Sequence, residues 1–255
     1  MHRTGLIVGG TIWLNFAFKA FAWDMELRDL DLSGWNCLGK PSGSARHAGE
    51  AERNLSKNRS AILKAESTAY DLNSFLERVS EFDRQLGNAH SRSQLNSEQK
   101  AKLLELEKQV VTLTGWLVLA YSGPAESTNC SDPGYHDWHL ELLDTPLDHA
   151  PSVGDSTAII CEITPRTERD LYRRGIRLRD LASYIRLEDN TPEATGHLPH
   201  KVRVTGLMMW DDAHSGGGAV GAAIAKFDPQ GLPRPWRRTA WELHPIWDIV
   251  DAGAK

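Results

Sequence analysis

From about Gln109 the chain is patterned with a period of two. Val111, Leu113, Gly115, Leu117 and Leu119 alternate with Thr112, Thr114, Trp116 and Val118, which predicts one long strand whose central glycine lets it bend around a small barrel. His136 to Leu143 follows, with Trp138, Leu140 and Leu142 on one face and Asp137, His139 and Glu141 on the other. Thr157 to Ile163 makes a third strand, closed by Pro165; Lys201 to Trp210 makes a fourth and Thr239 to Ile249 a fifth. Between the third and fourth, Leu171, Ile176, Leu178, Leu181, Tyr184 and Ile185 predict a helix kinked or split at Gly175. The order strand, strand, strand, helix, strand, strand is that of a five-stranded OB-like barrel. The missing β/α alternation excludes a Rossmann fold or a β/α barrel. The expected fold class is mainly β, with the barrel over residues 109–255.

The N-terminal part changes period. Ile62, Ala65, Ala69, Leu72, Leu76, Val79 and Phe82 recur at helical spacing over Ala61 to Phe82, with Asn73 and Ser74 as candidate breaks. Asn96, Ser97 and Glu98 predict a helix start for Gln99 to Lys108, with Leu103, Leu104 and Leu106 toward the barrel. Residues 35–60 lack periodicity and read as loop, so 23–108 form a helical and loop extension on the barrel. Residues 1–22 have the layout of a signal peptide: a short basic start, the apolar run Gly5 to Leu14, and Ala20-Phe-Ala22 as an A-x-A cleavage pattern. Secretion is the expectation if that segment is cleaved, and a cytoplasmic protein if it is not. No stable membrane association is expected after processing.

A chain of 255 residues holds one sizeable core with an appendage, and a net charge of −5 argues against a diffuse nucleic-acid-binding surface. The arginines from Arg166 to Arg179 read as a solvated helix surface. Cys161 lies in an apolar run and reads as a buried thiol. Cys37 and Cys130 lie in Gly/Pro/Ser-rich segments, where a disulfide would staple the extension to the barrel of a secreted protein. No paired cysteine spacing suggests structural zinc.

The candidate chemistry is histidine with carboxylate. Asp137, His139 and Glu141 recur at every second position, about 6–7 Å apart on one face of a strand. Glu242 and His244 share a face of the fifth strand. Glu162 lies inside the third, where an unpaired charge is costly and a partner is expected. His214 follows Asp211 and Asp212 at the start of a long glycine-bearing connection to Arg237 and Arg238, the kind of loop that borders the binding face of OB folds. Two chemistries suit these groups. Asp137, Glu141, His139, His214 and His244 are candidate ligands for a divalent ion such as Zn, Mn or Fe. Alternatively Asp137, His139, Glu162, His214, Glu242 and His244 exchange protons without one. Lys57, Arg59 and Arg166 are candidate anion binders, and no nucleotide cofactor is expected.

Asn54-Leu-Ser-Lys57-Asn58-Arg59, Gly123-Pro to Asn129-Cys130, Asp137-Trp-His139, Glu162-Ile-Thr-Pro165-Arg166, Val202 to Gly206 running on to Asp211-Asp-Ala-His214, and Trp241-Glu-Leu-His-Pro245 form a set of signatures. On them the chain resembles an uncharacterised family of bacterial and fungal, often exported, OB-like proteins. Ala125 departs from that pattern as an extra residue. The resemblance implies that the segment around Lys57 belongs with the barrel, and it implies no activity. The function expected from the residues is a hydrolase, with phosphodiesters as first choice among small-molecule or polymeric substrates. The alternatives are a non-catalytic OB module binding an oligonucleotide, oligosaccharide or protein, and an enzyme of small-molecule biosynthesis.

Overall fold

The computed structural model describes residues 26–60, 66–187 and 191–253. The signal-peptide candidate and the helical positions Ile62 and Ala65 lie outside them. The described elements are α1 (Ala48–Lys57), β1 (Thr68–Asp71), α2 (Leu72–Gln85), α3 (Ser97–Glu107), β2 (Val110–Ser122), β3 (Trp138–Leu143), β4 (Ile159–Ile163), α4 (Pro165–Arg173), β5 (Tyr184–Leu187), β6 (Glu193–Ala194), β7 (Lys201–Trp210), β8 (Lys226–Phe227), β9 (Pro233–Arg234) and β10 (Trp241–Asp251). Among the described residues no helix is long and apolar enough to cross a membrane.

Five strands close on themselves. β2 pairs antiparallel with β3 and β3 with β4; β4 pairs parallel with β10; β10 and β7 are antiparallel, and β7 returns antiparallel to β2. With α4 between β4 and β7, this is the expected OB-like barrel. Trp138, Leu140 and Leu142 of β3, Ile159, Cys161 and Ile163 of β4, and Trp241, Leu243 and Ile246 of β10 enter one interior cluster. The opposite faces of these strands carry the polar series, and connecting loops cover them.

The extension packs on the barrel, with boundaries that differ from the sequence reading. α2 starts at Leu72, because the Asp71 side chain accepts from Ser74 N at 2.8 Å and caps it, and the residues before it pair as β1 with β2. α3 carries the full capping box of Asn96 and Gln99; it buries Leu103 and Leu106 and leaves Leu104 exposed. Residues 35–60 are not all loop. α1 forms there, and the face it buries is polar, with Asn54, Ser56 and Lys57, so no apolar period betrays it.

The helix expected to reach Ile185 ends at Arg173, where Gly175 takes φ +82°. The following residues form β5, which pairs parallel with β2 along Leu119 to Ser122, beyond the β2–β7 pairing of Val110 to Trp116. A β-bulge between Leu117 and Leu119 reverses the parity of β2. Leu113 and Leu117 point inward before it. After it Ala120 points inward and Tyr121 lines an external cavity.

Cys37 and Cys130 form a disulfide with Cα atoms 5.7 Å apart, while Cys161 is a buried free thiol. The bridge ties the loop before α1 to the loop between β2 and β3. Asn54 and Asn58 reinforce that tie: Asn54 Nδ2 donates to Ser127 Oγ at 3.1 Å and Asn58 Nδ2 to Thr128 O at 3.0 Å.

Candidate functional site

Strand register assembles the site. His139 of β3 stands directly across from Glu162 of β4, and the Cys161–Leu243 pairing sets Glu162 beside Glu242 and His244 of β10. Three adjacent strands thus contribute to one row on the outside of the barrel. The loop between β2 and β3 adds Glu126, α1 adds Lys57, and the connection from β7 to β10 adds Asp211 and Arg237.

Glu162 is the hub. Its Oε1 lies 3.1 Å from His139 Nε2, and its Oε2 lies 2.7 Å from His244 Nδ1 and 3.5 Å from Lys57 Nζ. His244 Nδ1 also hydrogen-bonds Glu242 Oε1 at 3.2 Å, while its Nε2 faces Asp137 Oδ2 at 3.8 Å. Lys57 reaches Glu126 at 3.1 Å. Arg237, fully buried, joins Asp211 at 3.3 Å and Glu242 in a shorter contact.

The electrostatics follow from this packing. Burial works against charge on Glu162, but His139, Lys57 and His244 outweigh it and hold its carboxyl well below the ordinary range. Burial likewise disfavours charge on His244, and Glu162 overrides it, pushing the imidazole up to about 10. His139 is raised in the same way, against its burial, by Glu162. Asp137 is pushed up to about 6 by burial, which His244 opposes. Burial alone would raise Asp211, yet Lys57, His214 and Arg237 hold it below its ordinary value.

Among the described residues two groups of side chains are placed to hold a metal ion: Asp137, Glu162 and His244, and Glu162, Asp211 and Glu242, the ligand atoms of each lying within 4.8 Å of one another. In the second group Asp211 and Glu242 already pair with Arg237. In the first, Asp137 Oδ2 and His244 Nε2 are buried and have no hydrogen-bond partner among the described residues, while Glu162 Oε2 is held by His244 Nδ1 at 2.7 Å. Four buried carboxylates, Asp137, Glu162, Asp211 and Glu242, face two permanent cations, Lys57 and Arg237. The excess of two negative charges is balanced either by protons on the imidazoles or by a divalent cation with the imidazoles neutral.

The expected site residues separate on this geometry. Asp137 and His244 meet at the first group and are joined by Glu162, which the sequence reading gave a proton-transfer role and not a ligand role. His139, His214 and Glu141 belong to neither group. His139 turns one nitrogen to Glu162, and its other edge packs against Gly123, where a Cβ would come within 2.6 Å of the ring. His214 lies 3.7 Å from Asp211 and edge-on to Trp236. Lys57 is an ion-pair partner within the cluster.

Arg59 and Arg166 correct the anion-binding expectation. Arg59 donates to the carbonyls of Ser56, Glu107, Met208 and His244, clamping α1 to α3 and the barrel. Arg166 stacks on Trp35 at 4.7 Å and donates to Asn58 and Cys37. These contacts engage both guanidinium groups within the protein.

The sequence reading gave no site role to Glu126, Arg237, Tyr121 or Arg186, and took Trp236 as a residue that could stack on a base or sugar ring. A cavity of about 510 Å³ lies outside the barrel between Tyr121, His139, Glu141, Arg186, His214 and Trp236. A second, of about 550 Å³, opens on Lys57, Asp211 and His214, and Glu126 lines both. Part of the charged row, namely Glu126, His139, Lys57 and Asp211, lines these hollows, while Asp137, Glu162, Glu242 and His244 are buried beneath them. Glu126, Arg237, Tyr121 and Arg186 share only a weak signal in the sequence, because aromatic and charged residues on loops are ordinary surface composition.

Glu141 gives a pH test. Burial pushes its carboxyl up to about 7, with Arg186 and His139 opposing. A carboxyl raised on folding contributes stability fully present below its ordinary value near 4.5 and lost as the pH climbs through 7. Glu141→Gln escapes that loss, so it is expected to exceed the wild type in unfolding free energy at pH 8 by up to about 3 kcal/mol and to match it near pH 4.5. Urea titrations at the two pH values measure this; a variant no more stable at pH 8 than the wild type refutes it.

No family model, curated protein or solved structure matches this chain.

Proposed function

We propose that the protein is a divalent-metal-dependent hydrolase, with the ion held by Asp137, Glu162 and His244 and the substrate entering the cavity above His139. One observation carries this reading: Asp137 Oδ2 and His244 Nε2, both buried and without a hydrogen-bond partner among the described residues, face each other at 3.8 Å beside Glu162. Such atoms are costly to bury empty-handed, and the donor set of two carboxylates and one imidazole suits Zn, Mn or Fe. The hydrogen bond from His244 Nδ1 to Glu242 is the support that fixes a metal-binding imidazole with Nε2 forward. The ion supplies Lewis-acid activation.

The chain's own groups do the rest. Hydrolysis of a phosphodiester places the hydroxyl of water on phosphorus, breaks the P–O ester bond and returns a proton to the departing oxygen. The attacking water supplies both the hydroxyl and the proton, and His139, lining the cavity with Nε2 on Glu162, helps position the substrate beside it. Lys57 and Arg237 keep the neighbouring carboxylates from repelling an anionic substrate. Export to an oxidising compartment is part of this proposal, supported by the Cys37–Cys130 bridge.

Metal analysis of the purified protein, calorimetric titration with Zn and Mn, and hydrolysis of bis(4-nitrophenyl) phosphate test it. The expected result is one ion per chain, lost in both Asp137→Ala and His244→Ala, and hydrolysis abolished by a chelator. Absence of metal uptake, or uptake unchanged in His244→Ala, overturns the reading.

A further inference from the structure

The cavity above His139 extends along the outer face of the barrel into a second lobe of about 250 Å³, and Glu141, Arg186, Leu232 and Pro233 line both lobes. Tyr121 of β2 has His139 as its cross-strand partner on β3 and Arg186 as its partner on β5, so its ring is sandwiched between them. The imidazole stacks at 4.8 Å with the planes 4° apart, and the guanidinium carbon stands 4.1 Å from the ring centre. Arg186 and His139 are thus one ring thickness to either side of Tyr121.

Arg186 is 7% exposed, its Nε is buried without a partner, and its side chain makes no ion pair or hydrogen bond among the described residues. Glu141 nearby is 5% exposed and equally without a hydrogen bond there. The other guanidinium in the cavity, that of Arg234, is engaged by Asp228 at 2.9 Å. A buried guanidinium with idle N–H groups is costly unless an oxyanion occupies them, and a planar carboxylate or phosphate edge fits that fork. Glu141 offsets part of that positive charge, so the pair accommodates one negative charge and not two. Glu141 also requires a donor from the ligand. The volume is that of a small-molecule site, and Trp236, Leu232 and Pro233 supply its apolar walls.

We infer that this cavity binds a small organic monoanion, a carboxylate or a phosphodiester, with its charged group on Arg186 and a hydroxyl or amine on Glu141. The inference rests on the hydrolase reading for its role: Arg186 anchors the substrate anion in the same cavity that His139 lines.

Binding is measured by calorimetry with bis(4-nitrophenyl) phosphate and 4-hydroxyphenylacetate, each against an uncharged counterpart, methyl bis(4-nitrophenyl) phosphate and 4-hydroxyphenylacetamide. At least one anion is expected to saturate the wild type, with its counterpart about tenfold weaker or worse, and Arg186→Gln is expected to remove that preference. Whichever anion saturates identifies the oxyanion. In Glu141→Gln, which removes the competing charge, dianionic 4-nitrophenyl phosphate is expected to gain affinity relative to the diester.

Equal binding of charged and uncharged probes overturns the inference. So does an Arg186→Gln protein that melts cooperatively and binds like the wild type, or a Glu141→Gln protein with unchanged dianion affinity. The same titrations on His244→Ala separate the two readings. Anion binding without metal uptake in the wild type leaves the cavity assignment standing and removes the hydrolase; metal uptake with no anion binding does the reverse.

Discussion

Arg237→Met is expected to lower the unfolding free energy by about 3–5 kcal/mol, the cost of stripping one partner from a buried ion pair. The guanidinium is fully buried and lies between Asp211 and Glu242, which come from opposite ends of the β7 to β10 connection and are themselves buried. Methionine fills much of the volume but leaves two carboxylates in a low-dielectric site with Lys57 and His244 as the remaining cations near them. The loss is therefore electrostatic, and its pH dependence follows. Without Arg237 the folded carboxyls titrate higher, and a raised carboxyl contributes stability that disappears as pH rises. The deficit is expected to be smaller at pH 5 than at pH 8. Adding Glu242→Gln to Arg237→Met is expected to recover part of the stability, since it removes one of the stranded charges. Guanidinium denaturation of the two variants at both pH values measures this. A single variant within about 1 kcal/mol of the wild type shows that Arg237 does not balance the cluster.

Replacing both bridging cysteines, as Cys37→Ser with Cys130→Ser, is expected to cost about 4–5 kcal/mol. The bridge closes a loop of sequence separation 93, for which the entropy removed from the unfolded chain is close to its practical maximum. It also joins the loop before α1, the helix that carries Lys57, to the loop that presents Glu126 to the charged row. The Asn54 and Asn58 hydrogen bonds remain after the change, so the site loosens before the barrel does. Unfolding followed with and without a reducing agent separates the bridge from the serine substitutions. A wild type whose denaturation midpoint is indifferent to reductant refutes the expectation.

The arrangement of the site was only partly legible in the chain. Asp137, His139, Glu242 and His244 stand out because each occupies the polar parity of a strand whose other parity is apolar, a rule set by the pleat over two residues. Glu162 was recognised as needing a partner, but its partners are His139, His244 and Lys57, and the last comes from a helix more than a hundred residues away. That helix gave no apolar period because it buries Asn54, Ser56 and Lys57. Tyr121 was hidden by the bulge at Leu117 and Leu119, since an extra residue in a ladder inverts every side chain beyond it. Arg59 and Arg166 looked like anion binders because an arginine's donors are visible in sequence and the carbonyls that consume them are not.

By itself the sequence determined the five barrel strands, the helix between the third and fourth, and the cap of α3. These depend on local periodicity and on backbone groups a few residues apart. Only the tertiary structure decided which carboxylate meets which imidazole, which cations are buried with them, and that β5 and Arg186 extend the outer face. Barrel closure sets those choices: it fixes register between strands distant in the chain, and a buried charge takes the partner that register brings within reach.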